Sequence, residues 1–224
     1  MGQPVEAVCL DLDGTICEYR HATEQLLPRA FEQLGVEPFF TAEEYRDRLF
    51  SQVVTDETKA ERREQAFEAL ATERGHDPAV GRRLAALYAS MRDHSDVRPL
   101  PGALEAVESL GQSYDLALVT NGGPEMQDPK LAALGIADAF DEVVYAGYQV
   151  PPKPEPEPFH RALYALDAAP RSVVHVGNSV RTDLWGADAA GIRAALLWPP
   201  DDEPGTDPDY RIESMRDLLD PPWE

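Results

Sequence analysis

The chain has 224 residues, 43% of them apolar, and a formal charge of −21 at pH 7. That length supports a good-sized buried core plus a smaller domain, and the charge argues against nucleic acid or an anionic membrane as partner. Two cysteines, Cys9 and Cys17, exclude a disulfide framework; with no apolar stretch of membrane-spanning length and no room for a leader before a strand near Val5, a cytoplasmic protein is expected.

The first element is an apolar run, Val5 to Leu10, that reads as a buried strand and leads into Asp11-Leu12-Asp13-Gly14-Thr15. Two carboxylates one residue apart at a strand end suit a divalent cation and attack on phosphorus. From about Tyr19 to Arg98 four consecutive segments read as helices with no strand among them, which predicts a helical insert at 19–98 within a core of 1–18 plus 99–224. Thr41 with Glu44 forms a capping box, Asp77 before Pro78 starts another helix, and Gly35 and Gly75 stand where helices end. Val80, Leu84, Leu87 and Met91 form one apolar face. The stretch Pro99-Leu100-Pro101-Gly102 is the expected hinge back to the core.

Beyond it, strand and helix alternate. Strands are predicted at Leu116–Val119, Glu142–Tyr145, Val173–Val176 and Ala194–Trp198, and helical spacing recurs in Leu104, Val107 and Leu110 and in Phe159, Leu163 and Leu166. This is an α/β, doubly wound, Rossmann-like parallel sheet core with an inserted all-α domain. The Asp201 to Asp209 segment reads as a surface loop before a last short helix.

In open α/β sheets ligands bind beyond the carboxyl ends of the strands. Four polar groups stand there: Asp11 to Thr15, Thr120-Asn121-Gly122-Gly123, Lys153-Pro154, and Gly177-Asn178-Ser179-Val180-Arg181-Thr182-Asp183. Together they offer carboxylates for a metal, donors for phosphate oxygens and one cation. Lysine is rare here: Lys59, Lys130 and Lys153 are the only lysines among 20 basic residues. At Lys153 this favours function over a stiff proline-rich linker, because a compact ammonium is a point charge that arginine does not reproduce. The acid-rich, lysine-poor balance is similar to that of proteins from extreme halophiles, in which salt screens self-repulsion.

In this order and spacing the four groups resemble the signature motifs of the haloacid dehalogenase superfamily, over roughly residues 5 to 199, and the insert resembles the helical cap of its phosphatase branch. The resemblance implies phosphate-ester hydrolysis through an aspartyl-phosphate, with Mg²⁺ as cofactor. It casts Asp11 as nucleophile and metal ligand, and Asp13 as general acid and base whose backbone carbonyl reaches the metal. Thr120 becomes the phosphate-binding hydroxyl, with backbone N–H groups of Asn121 and Gly122 on the same oxygens. Lys153 neutralises nucleophile and phosphoryl group, and Asp183 is a metal ligand, directly or through water. Where many relatives have Gly-Asp, this chain has Gly177-Asn178, so one charge is missing and Asn178 offers a carbonyl oxygen instead.

Asp13 fits poorly with a dehalogenase or a phosphonatase, the latter needing a cap lysine for which only Lys59 is available. A β-phosphoglucomutase-like mutase shares the core motifs and is the runner-up; a silent binding protein is the alternative from another class. The expected partner is a small phosphorylated substrate, for a monomer or homodimer. Arg20, His21, Arg46, Arg62, Arg63 and Arg92 are candidates for specificity, each read first as a solvated helix face. His94 and His175 are not read as ligands, His175 lying inside a strand.

Overall fold

A computed structural model describes residues 3–51, 59–200, 202–203 and 205–224. The chain divides into two compact units, Met1–Glu18 with Val97–Glu224, and Tyr19–Asp96.

In chain order, strand β1 (Ala7–Leu10) and strand β2 (Cys17–Tyr19) precede helices α1 (Thr23–Leu34), α2 (Ala42–Ser51), α3 (Lys59–Glu73) and α4 (Pro78–Met91). Strand β3 (Val97–Pro99), helix α5 (Ala103–Gly111), strand β4 (Asp115–Asn121), helix α6 (Pro124–Leu134), strand β5 (Glu142–Ala146) and helix α7 (Glu157–Ala165) follow. Strand β6 (Val173–Gly177), helix α8 (Trp185–Ala190), strand β7 (Arg193–Leu197) and strand β8 (Tyr210–Ile212) complete the regular structure, with a final 3₁₀ turn at Met215–Leu219.

Six strands form one sheet in the order β5-β4-β1-β6-β7-β8, and every neighbouring pair is parallel. A parallel sheet covered on both faces needs strands that are apolar throughout. Strand β1 meets this condition, since all four of its residues are buried. Cys9, Ala117, Val119 and Val144 face one side, where they pack with Phe159 and Leu163 of α7 and Ala187 and Ala190 of α8. Helix α5 buries Ala103, Ala106, Val107 and Leu110.

Register decides where the polar groups fall. Leu10 pairs with Leu118 of β4 on one side and Val176 of β6 on the other, so the residues after these positions emerge at one edge. The chain winds from β1 toward β4 and β5, then returns across β1 to β6. The order therefore reverses at β1, the switch point where α/β sheets open a crevice.

The helical unit has its own core. Phe31, Phe39 and Phe40 meet edge to face at 5.0–5.2 Å, and Phe40 and Tyr45 both meet Phe67. Thr41 and Glu44 exchange the two bonds of a capping box, at 2.7 and 3.2 Å. Asp77 caps α4 through Ala79 N–H at 2.8 Å. The apolar face of α4 differs from the one read in the sequence. Gly81, Leu84, Ala85 and Tyr88 are the buried residues, while Val80, Leu87 and Met91 are half-buried at its margin. Small residues let the α4 backbone approach its neighbours, and a hydropathy pattern passes over them.

Strands β2 and β3 pair with each other in a two-stranded sheet where the chain leaves and re-enters the sheet domain. Arg20 N–H donates to the Asp96 carbonyl at 3.0 Å. Because Val97–Pro99 pairs in this ribbon, the helical unit ends at Asp96 rather than Arg98. The C-terminal segment departs from expectation as well, for Tyr210–Ile212 adds a parallel edge strand beside β7 ahead of the closing turn. Of the Asp201–Asp209 loop, Asp201 and Pro204 lie outside the described residues.

Candidate active site

Asp11 sits one residue past β1, its N–H donating to Val176 O at 2.9 Å. The chain then turns tightly, with Ile16 and Cys17 N–H both donating to Leu12 O at 2.9 and 3.0 Å. Gly14 makes the turn at φ +86°, and a Cβ there would lie 2.7 Å from the Asn178 amide. The position thus excludes a side chain twice over, by conformation and by space. The turn presents Asp13 two residues beyond Asp11 on the same short loop.

Lys153 occupies the centre. Its Nζ donates to Asp11 Oδ1 at 2.8 Å, to Asp183 Oδ1 at 2.6 Å and to Val119 O at 2.7 Å, which uses all three ammonium protons. Asn121 fastens the same residue by a two-way amide clasp. Lys153 N–H donates to Asn121 Oδ1 at 2.8 Å, and Asn121 Nδ2 donates to Lys153 O at 3.1 Å. Burial opposes the charge of Lys153, but the two carboxylates outweigh it and raise the ammonium above its ordinary range.

The two carboxylates on that lysine are not equivalent. Asp183 also accepts from His175 Nε2 at 3.0 Å and, through Oδ2, from Ser179 N–H at 3.0 Å. Burial works against ionisation of Asp183, yet Lys153 and His175 hold it well below the usual carboxylate range. Burial lowers His175, and because an ionised Asp183 can only accept, His175 carries a proton on Nε2 toward it. Asp11 has fewer donors, Lys153 and a 3.3 Å bond from Thr15 Oγ1. Burial pushes Asp11 up to about 7, with Lys153 pulling it down and Asp183 pushing it further up. Two buried carboxylates share one ammonium, and the one with more hydrogen-bond donors, Asp183, keeps the charge.

This asymmetry has a measurable result. Asp11 ionises near 3.8 when unfolded but only near 7 when folded, so between those values the folded state holds a proton that the unfolded chain has released. Stability contributed by Asp11 therefore falls as pH rises through that window. The contribution of Asp11 to the stability of the metal-free protein is expected to fall between about pH 4 and about pH 7, and Asp11→Asn is expected to remove that decline. Denaturant midpoints across that range check it; identical slopes for both proteins would contradict the assignment.

Thr120 and Asp13 meet through α6. Gln127 Nε2 donates to Thr120 Oγ1 at 2.7 Å and lies 3.2 Å from Asp13 Oδ2, and Lys130 Nζ lies 2.6 and 2.7 Å from the two Asp13 oxygens. Thr120 Oγ1 accepts that bond, which leaves its own O–H to donate outward. Gly122 requires a correction. Its N–H donates to Ala146 O at 2.9 Å, inside the sheet, and is not directed at a phosphate. What Gly122 supplies is the turn itself, at φ +144°, a conformation that favours glycine.

The donor set for a cation is made of oxygens. Thr15 Oγ1 lies 3.3 Å from Asp11 Oδ2 and 3.2 Å from Asn178 Oδ1, so one hydroxyl links these two acceptors. Among the described residues no three His, Cys, Asp or Glu side chains gather as a metal-holding group. One carboxylate, one amide oxygen and a main-chain carbonyl nevertheless suit Mg²⁺, which binds one or two carboxylates and completes its shell with water and phosphate. Both Asp183 oxygens are engaged by Lys153, His175 and Ser179, while Asn178 Oδ1 is linked to Asp11 through the Thr15 hydroxyl. Thiol chemistry finds no support, since burial pushes both Cys9 and Cys17 up to about 12.

Three residues of this constellation escape a reading of the sequence. His175 is polar within an apolar strand, Gln127 and Lys130 lie in a helix without a clear apolar face, and the scarcity of lysine was the available signal for Lys130. The candidates of the helical unit divide. Arg20 and His21 pair with Asp96, and Arg46 pairs with Glu24, at the surface. Arg63 and Arg92 lie over the ring of Tyr88 at 5.7 and 5.2 Å, and His94 Nδ1 bonds Tyr19 Oη at 2.6 Å. Arg62 is half-buried on α3, and the Lys59 side chain lies outside the described residues.

A model of the haloacid dehalogenase-like hydrolase family matches residues 5–191. The chain is 30% identical to a pyrophosphatase PpaX from Halalkalibacterium halodurans, over 96% of both chains. It is also 30% identical to a glyceraldehyde 3-phosphate phosphatase from Methanopyrus kandleri, again over 96% of both. A phosphoserine phosphatase from Thermus thermophilus is 34% identical over 160 residues, 70% of this chain and 64% of that protein. Among solved structures, the HAD-hydrolase YfnB from Bacillus subtilis, described as bound to magnesium, has the same fold, with TM-score 0.74 and 24% identity over 97% of this chain and 98% of that one.

Proposed function

The chain belongs to the haloacid dehalogenase-like hydrolase family, and on that premise we propose that it is a Mg²⁺-dependent phosphatase of small phosphorylated metabolites, acting through an aspartyl-phosphate on Asp11. The observation that carries this reading is Lys153 Nζ 2.8 Å from Asp11 Oδ1, with Asp13 on the same loop. A buried carboxylate beside a fixed ammonium, with an acid–base partner two residues away, is equipped for nucleophilic displacement at phosphorus.

Asp11, Asn178, the main-chain carbonyl of Asp13 and, directly or through water, Asp183 would hold the metal, with Asp183 also anchoring the lysine. When bound, Mg²⁺ offsets repulsion between the carboxylate and the phosphoryl oxygens and favours the ionised form of Asp11. Asp11 attacks phosphorus as the bond to the leaving oxygen breaks, and Asp13 gives that oxygen a proton. Asp13, now ionised, takes a proton from water as the water oxygen attacks phosphorus and releases Asp11. Lys153 neutralises charge on the transferring group, and the Thr120 hydroxyl donates to one of its oxygens. The relatives named above favour hydrolysis over the mutase alternative.

The helical unit, residues 19–96, is assigned the role of a cap that selects the leaving group. The acidic charge supports a small substrate rather than nucleic acid, and a cytoplasm of high salt as the working medium. No helix among the described residues is long and apolar enough to cross a membrane.

Phosphate release from phosphorylated sugars, nucleotides, small phosphorylated acids and pyrophosphate, at high salt with and without Mg²⁺, tests the proposal. Metal-dependent release from at least one compound is expected. Failure on the whole panel would sink the reading.

A further inference from the structure

Lys130 and Gln127 stand three residues apart on α6, both wholly buried, and both reach Asp13. Burying an ammonium is costly unless it is paired, and Lys130 has the Asp13 carboxylate as its counter-charge. The two contacts are nearly equal, at 2.6 and 2.7 Å, so the ammonium sits between the oxygens and fixes the rotation of the carboxyl group. The Asp13 side chain is 33% exposed while that of Lys130 is 1% exposed, so the carboxyl group is the part open to a ligand and the ammonium is its backing. Gln127 adds a second constraint by tying Asp13 Oδ2, at 3.2 Å, to the Thr120 hydroxyl, at 2.7 Å.

We propose that Lys130, assisted by Gln127, is a positioning residue for the acid–base carboxyl group, acting on proton transfer through Asp13 without touching the substrate. The inference rests on the phosphatase reading given above. It has a kinetic signature because Asp13 enters both half-reactions. In the first it donates a proton to the leaving oxygen while the Asp11–phosphorus bond forms. In the second it accepts a proton from water while that bond breaks, so ester and water give alcohol and phosphate. An aryl leaving group such as p-nitrophenolate departs without a proton, so the first half-reaction on that substrate does not depend on Asp13.

Lys130→Met tests this in rapid-mixing experiments. With p-nitrophenyl phosphate, the pre-steady-state burst of p-nitrophenolate is expected to stay within about threefold of wild type, while steady turnover falls about 100-fold. Phosphorylated protein should then accumulate and be detectable by mass. With the alkyl phosphate found best for the wild type, formation of the phosphoenzyme itself should slow about 100-fold, without a burst. Equal losses in burst and turnover, or no loss in either, would overturn the inference. Gln127→Met should give the same pattern at about tenfold, and decides the matter if the lysine variant does not fold. A wild type that releases no phosphate from any compound would instead remove the phosphatase reading.

Discussion

Asp11→Asn is expected to lower phosphate release by about 10⁴-fold or more while leaving the fold intact. Asparagine keeps the shape of aspartate, and its one oxygen can still accept from Lys153, which lies 2.8 Å from Asp11 Oδ1, while its NH2 replaces the oxygen that Thr15 Oγ1 reaches at 3.3 Å. It cannot supply the anion that attacks phosphorus. Its stability is expected to equal or exceed that of the wild type in metal-free buffer above neutrality, because burial opposes ionisation of Asp11. Steady-state release and a denaturation curve on one preparation separate the two effects. A variant that keeps more than about a hundredth of the wild-type rate would exclude Asp11 as nucleophile.

Lys153→Met is expected to remove both activity and stability. The ammonium is buried and bonds Asp11, Asp183 and the Val119 carbonyl within 2.8 Å, so solvent does not screen its loss. Breaking one partner out of a buried ion centre costs about 3–5 kcal/mol. Asp183 gives the cost its pH dependence. Its pKa is depressed in the folded state, so its contribution is present above the unfolded value of 3.8 and is lost as pH falls through the lower folded value. Without Lys153 the depression shrinks, and the gap between wild type and variant should narrow in acid below about pH 4. Urea midpoints at neutral and acid pH measure the gap. Identical midpoints at neutral pH would show that the lysine contributes nothing to the fold.

Legibility in the sequence followed physical signal. Strands β1, β4, β5, β6 and β7 are short apolar runs ending in polar turns, a pattern that burial on both sheet faces imposes. Strands β2, β3 and β8 have three residues each, Cys17–Tyr19, Val97–Pro99 and Tyr210–Ile212, and leave no such trace. At the site, Asp11, Asp13, Thr120 and Lys153 were readable because each directly follows an apolar run or sits in a marked turn. Helix α6 was opaque for the opposite reason. It buries Met126, Gln127, Lys130 and Leu131, so two of its inward residues are of the kind that usually marks a solvated face. His175 was hidden because one polar residue within a strand does not disturb its apolar character. The direction of the Gly122 N–H and the engagement of both Asp183 oxygens depend on sheet register and on which donors converge, and neither is written in local spacing.

The two-stranded ribbon of β2 and β3 bears on how such a protein can change over time. Residues 19–96 leave and rejoin the chain at points already held together by strand pairing and the Arg20–Asp96 bond. Closing a longer or shorter excursion from such a ribbon alters chain entropy only slowly with length. The register of β1 against β4 and β6, set elsewhere in the chain, need not respond. Selection can therefore exchange or reshape the excursion while the acidic turn, the buried lysines and the histidine are inherited as an unbroken set.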